Sequence, residues 1–292
     1  MMNRIPLGNA LLTRVLELQF EFPAALFPQT PQEAWQENAE ELTPTFYDPG
    51  TEQCRVAMQS WVVEVDGLTV VIDTGVGNDR ERPHLPGLGN LSNDFLGALQ
   101  RADIDPADVD IVVNTHLHTD HVGWNTRLVD GSWVPTFPNA RYLISRREWD
   151  HWQAAGMAAL ARTGDYITDS VLPVFAAGQA DLVGDEHAVA SEISVELAPG
   201  HTPGQMMVRL GSGREQAILS ADLMHHPLQV RYPEWSTRFC TDPMQARTTR
   251  INFFNEQANT GRLIFPAHFP SPTGGTIERD GKDFRFIFDG EI

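Results

Sequence analysis

The order of strand-like and helical segments predicts an α/β protein, and three observations carry that expectation. Short apolar runs rich in Val, Ile and Leu, of buried-strand length, recur towards both ends of the chain. A helical stretch between about Arg146 and Ala177 separates them into two strand-rich halves. In both halves the strand-like runs end on His or Asp, so the strands present side chains at their tips.

Taken in order, Leu12–Phe20 alternates well enough to be a first strand. Between Pro23 and Pro49 the chain is rich in Pro, Gln and Glu and reads as an excursion across the surface, with a short helix around Glu33–Glu41. Cys54–Glu64 and Leu68–Asp73 are strands joined by Asp66-Gly67, a dipeptide that favours a tight hairpin turn. Prolines and glycines around His84 and Leu88 make Arg80–Asn93 a loop. Ser92 or Asn93 then caps a helix through about Arg101. Asp110–Asn114 and Arg141–Ser145 are further strands, followed by a helix over Arg146–Ala161 and a second over Asp165–Ala177, kinked at Pro173. In the second half Ile193–Leu197, Gln216–Ser220 and Arg262–Phe265 are strands, each followed at once by a candidate ligand. Asp242-Pro243 opens a helix through Asn259 with Gly261 past its end, and Ile277–Arg279 with Phe284–Phe288 forms a closing hairpin around Asp280-Gly281.

With 292 residues the chain can bury a substantial core. Its 21 Lys+Arg against 39 Asp+Glu leave a net charge of −18, which repels phosphate backbones and argues against nucleic acid as a partner. Cys54 and Cys240 are far apart and outside any C-x-x-C pattern, so no disulfide scaffold is expected. No apolar run reaches membrane-span length and no export signal is evident near the N-terminus, so the expected setting is soluble and cytoplasmic.

The chemistry concentrates in Thr115–Trp124, where His116, His118, Asp120 and His121 form an H-x-H-x-D-H run directly after a buried-type strand. Side chains repeat every two residues along an extended segment, so His116 and His118 face the same way. Asp120 and His121 then lie on the following turn, from which they can serve a second ion. Imidazole nitrogen with carboxylate oxygen suits zinc, and also manganese, iron or cobalt.

Followed by Pro199-Gly200-His201-Thr202-Pro203-Gly204, then Ala221-Asp222, then Ala267-His268, this run resembles the metallo-β-lactamase-fold hydrolases over about Trp61–Phe269. The resemblance implies one domain over 1–292 with a four-layer αβ/βα sandwich: two mixed β-sheets flanked by helices. An N-terminal extension over about 1–50 and a helical insertion over about 146–180 would decorate it. It also implies two divalent metal ions per chain, zinc first. His116, His118 and His201 would hold one, Asp120, His121 and His268 the other, with Asp222 bridging. Asp73 matches the family's first short motif and is expected to support the site by hydrogen bonding rather than to bind metal.

Two cations sharing a water make hydroxide available near neutral pH and polarise a carbonyl or phosphoryl oxygen, so no Ser or Cys nucleophile is required. The expected activity is a dinuclear zinc hydrolase that cleaves a lactone or ester through a metal-bound hydroxide, with acyl-homoserine lactones as candidate substrates. The alternatives are an aryl esterase or phosphotriester (organophosphate) hydrolase, and then a non-catalytic metal-binding protein. A bridging Asp222 disfavours a true β-lactamase, and the acidic charge disfavours a nuclease. The partner is a small-molecule ester or lactone, with no nucleic acid or membrane, and a homodimer is compatible with the reading. Asp120 is the candidate proton shuttle. His225 stands where lactone hydrolases of this superfamily commonly carry a tyrosine, which makes it the candidate oxyanion donor, with His226 as the competing neighbour. His84, His151 and His187 read as surface residues, and Trp124, Trp133, Trp235, Phe269 and the Leu85–Leu88 loop as lining for an apolar pocket.

Overall fold

The computed structural model describes residues 4–290 except 86, 164 and 212–215. The first three residues and Pro86, within the Leu85–Leu88 loop, therefore lie outside the described residues. The chain divides into two compact units, Met1–Leu18 with Met58–Ser191 and Gln19–Ala57 with Glu192–Ile292.

In the first unit the strands Leu68–Ile72, Ile111–Asn114, Arg141–Ser145 and Ala180–Val183 run parallel in that order. The Val- and Ile-rich sequences of Leu68–Ile72 and Ile111–Asn114 suit strands buried on both faces. Val71, Val112 and Tyr142 join Val15, Val62, Phe95 and Leu99 in one buried cluster. Parallel strands bring their C-terminal ends to the same edge, so the residues after Ile72, Asn114 and Ser145 emerge together. Gln53–Val65 pairs antiparallel with Leu68–Ile72 through Asp66 and Gly67, both at positive φ (52° and 78°) as the tight turn requires.

Several boundaries differ from expectation for identifiable reasons. Arg4–Leu7 adds a strand before Ala10–Pro23. Thr126–Val129 and Ser132–Pro135 form a hairpin whose signal was the dipeptide Asp130-Gly131. The helix expected after Ser92 or Asn93 starts at Phe95, with Asp94 in the cap position. Asp165–Ala177 is a π-helical stretch, Ile167–Val171, followed by an α-helix over Leu172–Ala176. Pro173 sits in the first turn of that helix, where its missing N–H costs nothing, so it starts a helix rather than kinking one.

The second unit carries Ile193–Leu197, Met206–Leu210, Ala217–Ala221, Leu263–Pro266, Gly275–Asp280 and Asp283–Phe288 in sheet order. All neighbours are antiparallel except Ala217–Ala221 and Leu263–Pro266, whose parallel pairing puts Asp222 and His268 beyond the same sheet edge. The helix Pro243–Gln257 begins at Asp242, which accepts from the Met244 and Gln245 amides at 3.0 and 2.9 Å. The N-terminal excursion is not a surface strap. Phe27, Trp35, Phe46 and Tyr47 are all buried, and Phe27, Trp35 and Phe46 surround the ring of His226 at 5.1–6.1 Å. Among the described residues, no helix is long and apolar enough to cross a membrane.

Candidate metal centre

In the first unit the ligand run is strapped to the loop after Leu68–Ile72 by backbone hydrogen bonds. Thr74 N–H donates to His121 O at 2.8 Å, Gly123 N–H to Gly75 O at 2.7 Å and Trp124 N–H to Thr74 O at 2.8 Å. A Cβ at Gly123 would stand 1.9 Å from the Val76 carbonyl, so only glycine permits this approach. Glu17 braces the same loop, accepting from the Val76 and Gly77 amides at 2.7 and 3.1 Å and from Trp124 Nε1 at 2.8 Å. Burial pushes its carboxyl up, and those bonds pull it back.

Asp73, at a positive φ of 55°, orients two of the predicted ligands. Its Oδ1 accepts from the Thr115 amide at 2.7 Å, and its Oδ2 from the Thr115 hydroxyl at 2.7 Å and from His121 Nδ1–H at 2.8 Å. The hydroxyl proton being spent on Asp73, Thr115 Oγ1 is left to accept His116 Nδ1–H at 3.1 Å. Both imidazoles therefore turn a lone-pair nitrogen, Nε2, away from the network. His116 Nε2 faces His118 Nδ1 at 3.1 Å, as the alternation of an extended segment predicts. Asp120 and His121 fall on the short helix Thr119–Val122, with Asp120 Oδ2 3.8 Å from His121 Nε2.

Two supports for this run were invisible in sequence. Fully buried Glu148 accepts from the Leu117 amide, between His116 and His118, at 3.0 Å, and from Trp152 Nε1 at 2.8 Å. Arg82, held bidentate by Asp169 at 2.7 and 2.9 Å, donates through Nε to the Thr119 hydroxyl at 2.8 Å. These contacts join distant parts of the chain, and no local spacing announces them.

In the second unit Asp222 is the focus. Its Oδ2 lies 3.2 Å from His201 Nε2 and 3.1 Å from His225 Nε2, and its Oδ1 3.1 Å from His268 Nε2. All four residues are buried. His268 Nδ1–H donates to the Ala57 carbonyl at 3.1 Å, while the Ala57 amide donates to His268 O at 2.9 Å. His201 Nδ1 lies 3.6 Å from Cys240 Sγ. With its Nδ1 proton given to the Ala57 carbonyl, His268 aims an Nε2 lone pair at an Asp222 carboxylate oxygen. That arrangement repels unless a cation stands between them, so the donor set fits a metal ion.

His225 sits among these groups, its ring stacked on His268 at 5.5 Å and 14°. Its Nε2 is within ion-pair distance of Asp222 but off the line of a hydrogen bond, and Nδ1 has no hydrogen-bond partner among the described residues. Burial pushes its pKa down against the pull of Asp222, so the ring is neutral at neutral pH. Its backbone is fixed by Gln229, whose Oε1 accepts His225 N–H at 2.7 Å while Nε2 donates to Trp235 O at 2.9 Å. Buried Arg250 donates to the Leu223, Pro233 and Trp235 carbonyls and so frames the whole segment; burial lowers its pKa to about 10. His226 faces neither solvent nor Asp222. It donates Nε2–H to Phe46 O at 3.1 Å and accepts from the Leu228 amide, and burial takes its pKa down to about 3.

Of the expected pocket aromatics, Trp124 and Phe269 are buried core, while Trp133 and Trp235 are half-buried against neighbours. Trp124 stacks on Phe95 at 5.2 Å, Trp235 on Tyr232 at 4.1 Å, and Trp133 lies under the Arg80 guanidinium. Phe269 is fully buried beside Phe46 and Phe286. His84 and His187 are exposed, and His151 is half-buried against Trp152. Cys54 and Cys240 are both buried free thiols, and burial raises each above the ordinary thiol range.

The family model described as the metallo-beta-lactamase superfamily matches residues 57–274. N-acyl homoserine lactonase AttM of Azorhizobium caulinodans is 33% identical over 120 residues, covering 37% of this chain and 38% of that protein. N-acyl homoserine lactonase AiiA of Bacillus thuringiensis subsp. kurstaki is 23% identical over 125 residues, covering 43% of this chain and 42% of that protein. The matches thus span about two fifths of the length of these curated relatives. Among solved structures, AidC, a dizinc quorum-quenching lactonase bound to its product N-hexanoyl-L-homoserine, has a TM-score of 0.79 at 23% identity, covering 99% of this chain and 97% of that one. The hydrolase AbOPH has a TM-score of 0.82 at 23% identity over the same shares. Coverage this complete shows a shared fold.

Proposed function

The chain belongs to the metallo-β-lactamase superfamily, and from that premise we propose that it is a dinuclear metal hydrolase that opens lactones, with N-acyl homoserine lactones as the substrate class. The observation that carries the reading is the buried carboxylate of Asp222, met by three imidazole nitrogens at 3.1–3.2 Å. His116, His118 and His201 would hold one ion, Asp120, His121 and His268 the other, and Asp222 would be shared. Zinc suits these donors, and lactonase relatives at 33% and 23% identity support the substrate class. When bound, the ions supply Lewis acidity and a nucleophile at neutral pH.

The chain's own residues do the rest. The Asp120 carboxylate takes a proton from the attacking water and delivers it to the leaving alkoxide, so the lactone and one water become the hydroxy acid. His225, neutral and buried beside Asp222, donates a ring N–H to the carbonyl oxygen as negative charge develops there. An aryl ester or phosphotriester is the second reading, favoured by one observation: the residue three positions after Asp222 is a histidine rather than a tyrosine.

Hydrolysis of N-hexanoyl homoserine lactone, an aryl ester, a phosphotriester and a β-lactam by zinc-loaded protein tests this assignment. Lactone opening should dominate, vanish with chelator and return with zinc. A metal-loaded protein that leaves lactones intact while cleaving the aryl ester or phosphotriester would overturn the substrate class.

A further inference from the structure

We propose that Cys240 is the positioning residue for His201, and that the weak acceptor it provides makes one of the two metal ions the more readily exchanged. The inference rests on the dinuclear reading above and concerns what lies behind the ligands. Four of the five proposed ligand imidazoles have a group other than a second imidazole on Nδ1 (His118 Nδ1 faces His116 Nε2), and those partners differ in strength. His121 has the Asp73 carboxylate at 2.8 Å, His268 the Ala57 carbonyl at 3.1 Å and His116 the Thr115 hydroxyl at 3.1 Å, itself backed by Asp73. His201 has the Cys240 sulfur at 3.6 Å. Sulfur is a weak acceptor, so it fixes the tautomer while adding little basicity to Nε2. The ion assigned to Asp120, His121 and His268 has strong acceptors behind both histidines. The ion assigned to His116, His118 and His201 has the weakest one.

The surrounding backbone places the sulfur deliberately on this ring. Thr241 N–H donates to His201 O at 2.8 Å and Asp242 N–H to Gly200 O at 2.9 Å, which zips the Cys240 segment onto the His201 turn. Gly200, at a φ of 132°, presses against the first turn of Pro243–Gln257, where a Cβ would stand 2.2 Å from Ala246 N. The turn cannot shift away from Cys240 without losing these bonds. Both side chains are buried, His201 at 2% and Cys240 at 9% exposure, so solvent does not stand in for the sulfur.

The test titrates metal-free wild type, Cys240→Ala and Cys240→Ser with zinc against a chromophoric chelator, and records cobalt(II) absorption in parallel. Wild type should bind two ions of unequal affinity. Cys240→Ala should lose about tenfold at the weaker ion, with a changed cobalt spectrum, while Cys240→Ser restores or improves it because a hydroxyl can accept the same proton. The stronger ion and the thermal midpoint of the metal-free forms should move little. Two ions bound with affinities that do not move in Cys240→Ala would reduce Cys240 to packing and overturn the proposal alone. A wild type that takes up one ion, whose affinity still falls in Cys240→Ala, would instead overturn the dinuclear reading and leave the Cys240 assignment standing.

Discussion

Asp73 Oδ2 takes the Nδ1 proton of His121 at 2.8 Å, and the same oxygen accepts the Thr115 hydroxyl that in turn holds His116. One carboxylate thus sets the tautomers of two proposed ligands. Asp73→Asn should weaken zinc binding by about 10–100-fold, because an amide oxygen replaces a charged acceptor shared by both rings. Chelator competition measures this, and unchanged affinity would mean that the network is not needed to present Nε2.

The seven proposed ligand side chains exceed what one tetrahedral ion can use, so metal analysis of protein purified without chelator should approach two equivalents. Stripping the metal should also lower the thermal midpoint, since ions that bind only the folded state stabilise it by mass action. Full activity at a stable single equivalent would defeat the dinuclear mechanism.

Asp222→Asn should abolish both metal uptake and hydrolysis, whereas His187→Asn should preserve both. Asp222 is buried with imidazole nitrogens at 3.1–3.2 Å, and His187 is exposed. Comparable behaviour of the two variants would remove Asp222 from the site.

His226 makes stability depend on acidity. Burial lowers its pKa from 6.5 to about 3, so below 6.5 the unfolded chain binds a proton that the folded chain refuses. Its contribution is complete above 6.5 and drains as pH falls, at up to about 1.4 kcal/mol per pH unit. Urea midpoints between pH 7 and 5 should therefore fall more steeply for wild type than for His226→Gln. Parallel slopes would show that another group carries the acid sensitivity.

The proposed ligand residues stand after β-branched or apolar runs, and within the second unit the parallel pairing of Ala217–Ala221 with Leu263–Pro266 carries Asp222 and His268 to one edge of that sheet. What supports them was not legible. Glu148 and Leu117 are 31 positions apart, and Cys240 and His201 are 39 apart. Neither pair leaves a local pattern. Trp124 misled for a related reason: a large aromatic near a ligand motif fits a pocket wall or a core equally well, and only its packing against buried Phe95 decides. His226, read in the sequence as the neighbour competing with His225, is buried because its partners come from residues 27–46, a segment whose Pro and Glu content suggested surface.

The substrate class turns on His225. If lactones are opened, some donor near Asp222 must meet the carbonyl oxygen as it becomes an oxyanion, and no tyrosine stands there. The His225 ring is buried, held neutral by desolvation, and its Nδ1 is committed to no partner among the described residues. Gln229 holds its backbone amide and Arg250 the Leu223 carbonyl two residues before it, so the donor is pre-aimed rather than recruited. Losing one such donor costs on the order of 2.7–4 kcal/mol of transition-state stabilisation. His225→Ala should therefore lower lactone turnover by roughly a hundredfold or more while metal content stays intact. Kinetics on one acyl-homoserine lactone and one aryl ester, for wild type and variant, measure this directly. Unchanged lactone turnover in a fully metallated His225→Ala would exclude the donor role and shift the assignment towards an aryl ester or phosphotriester.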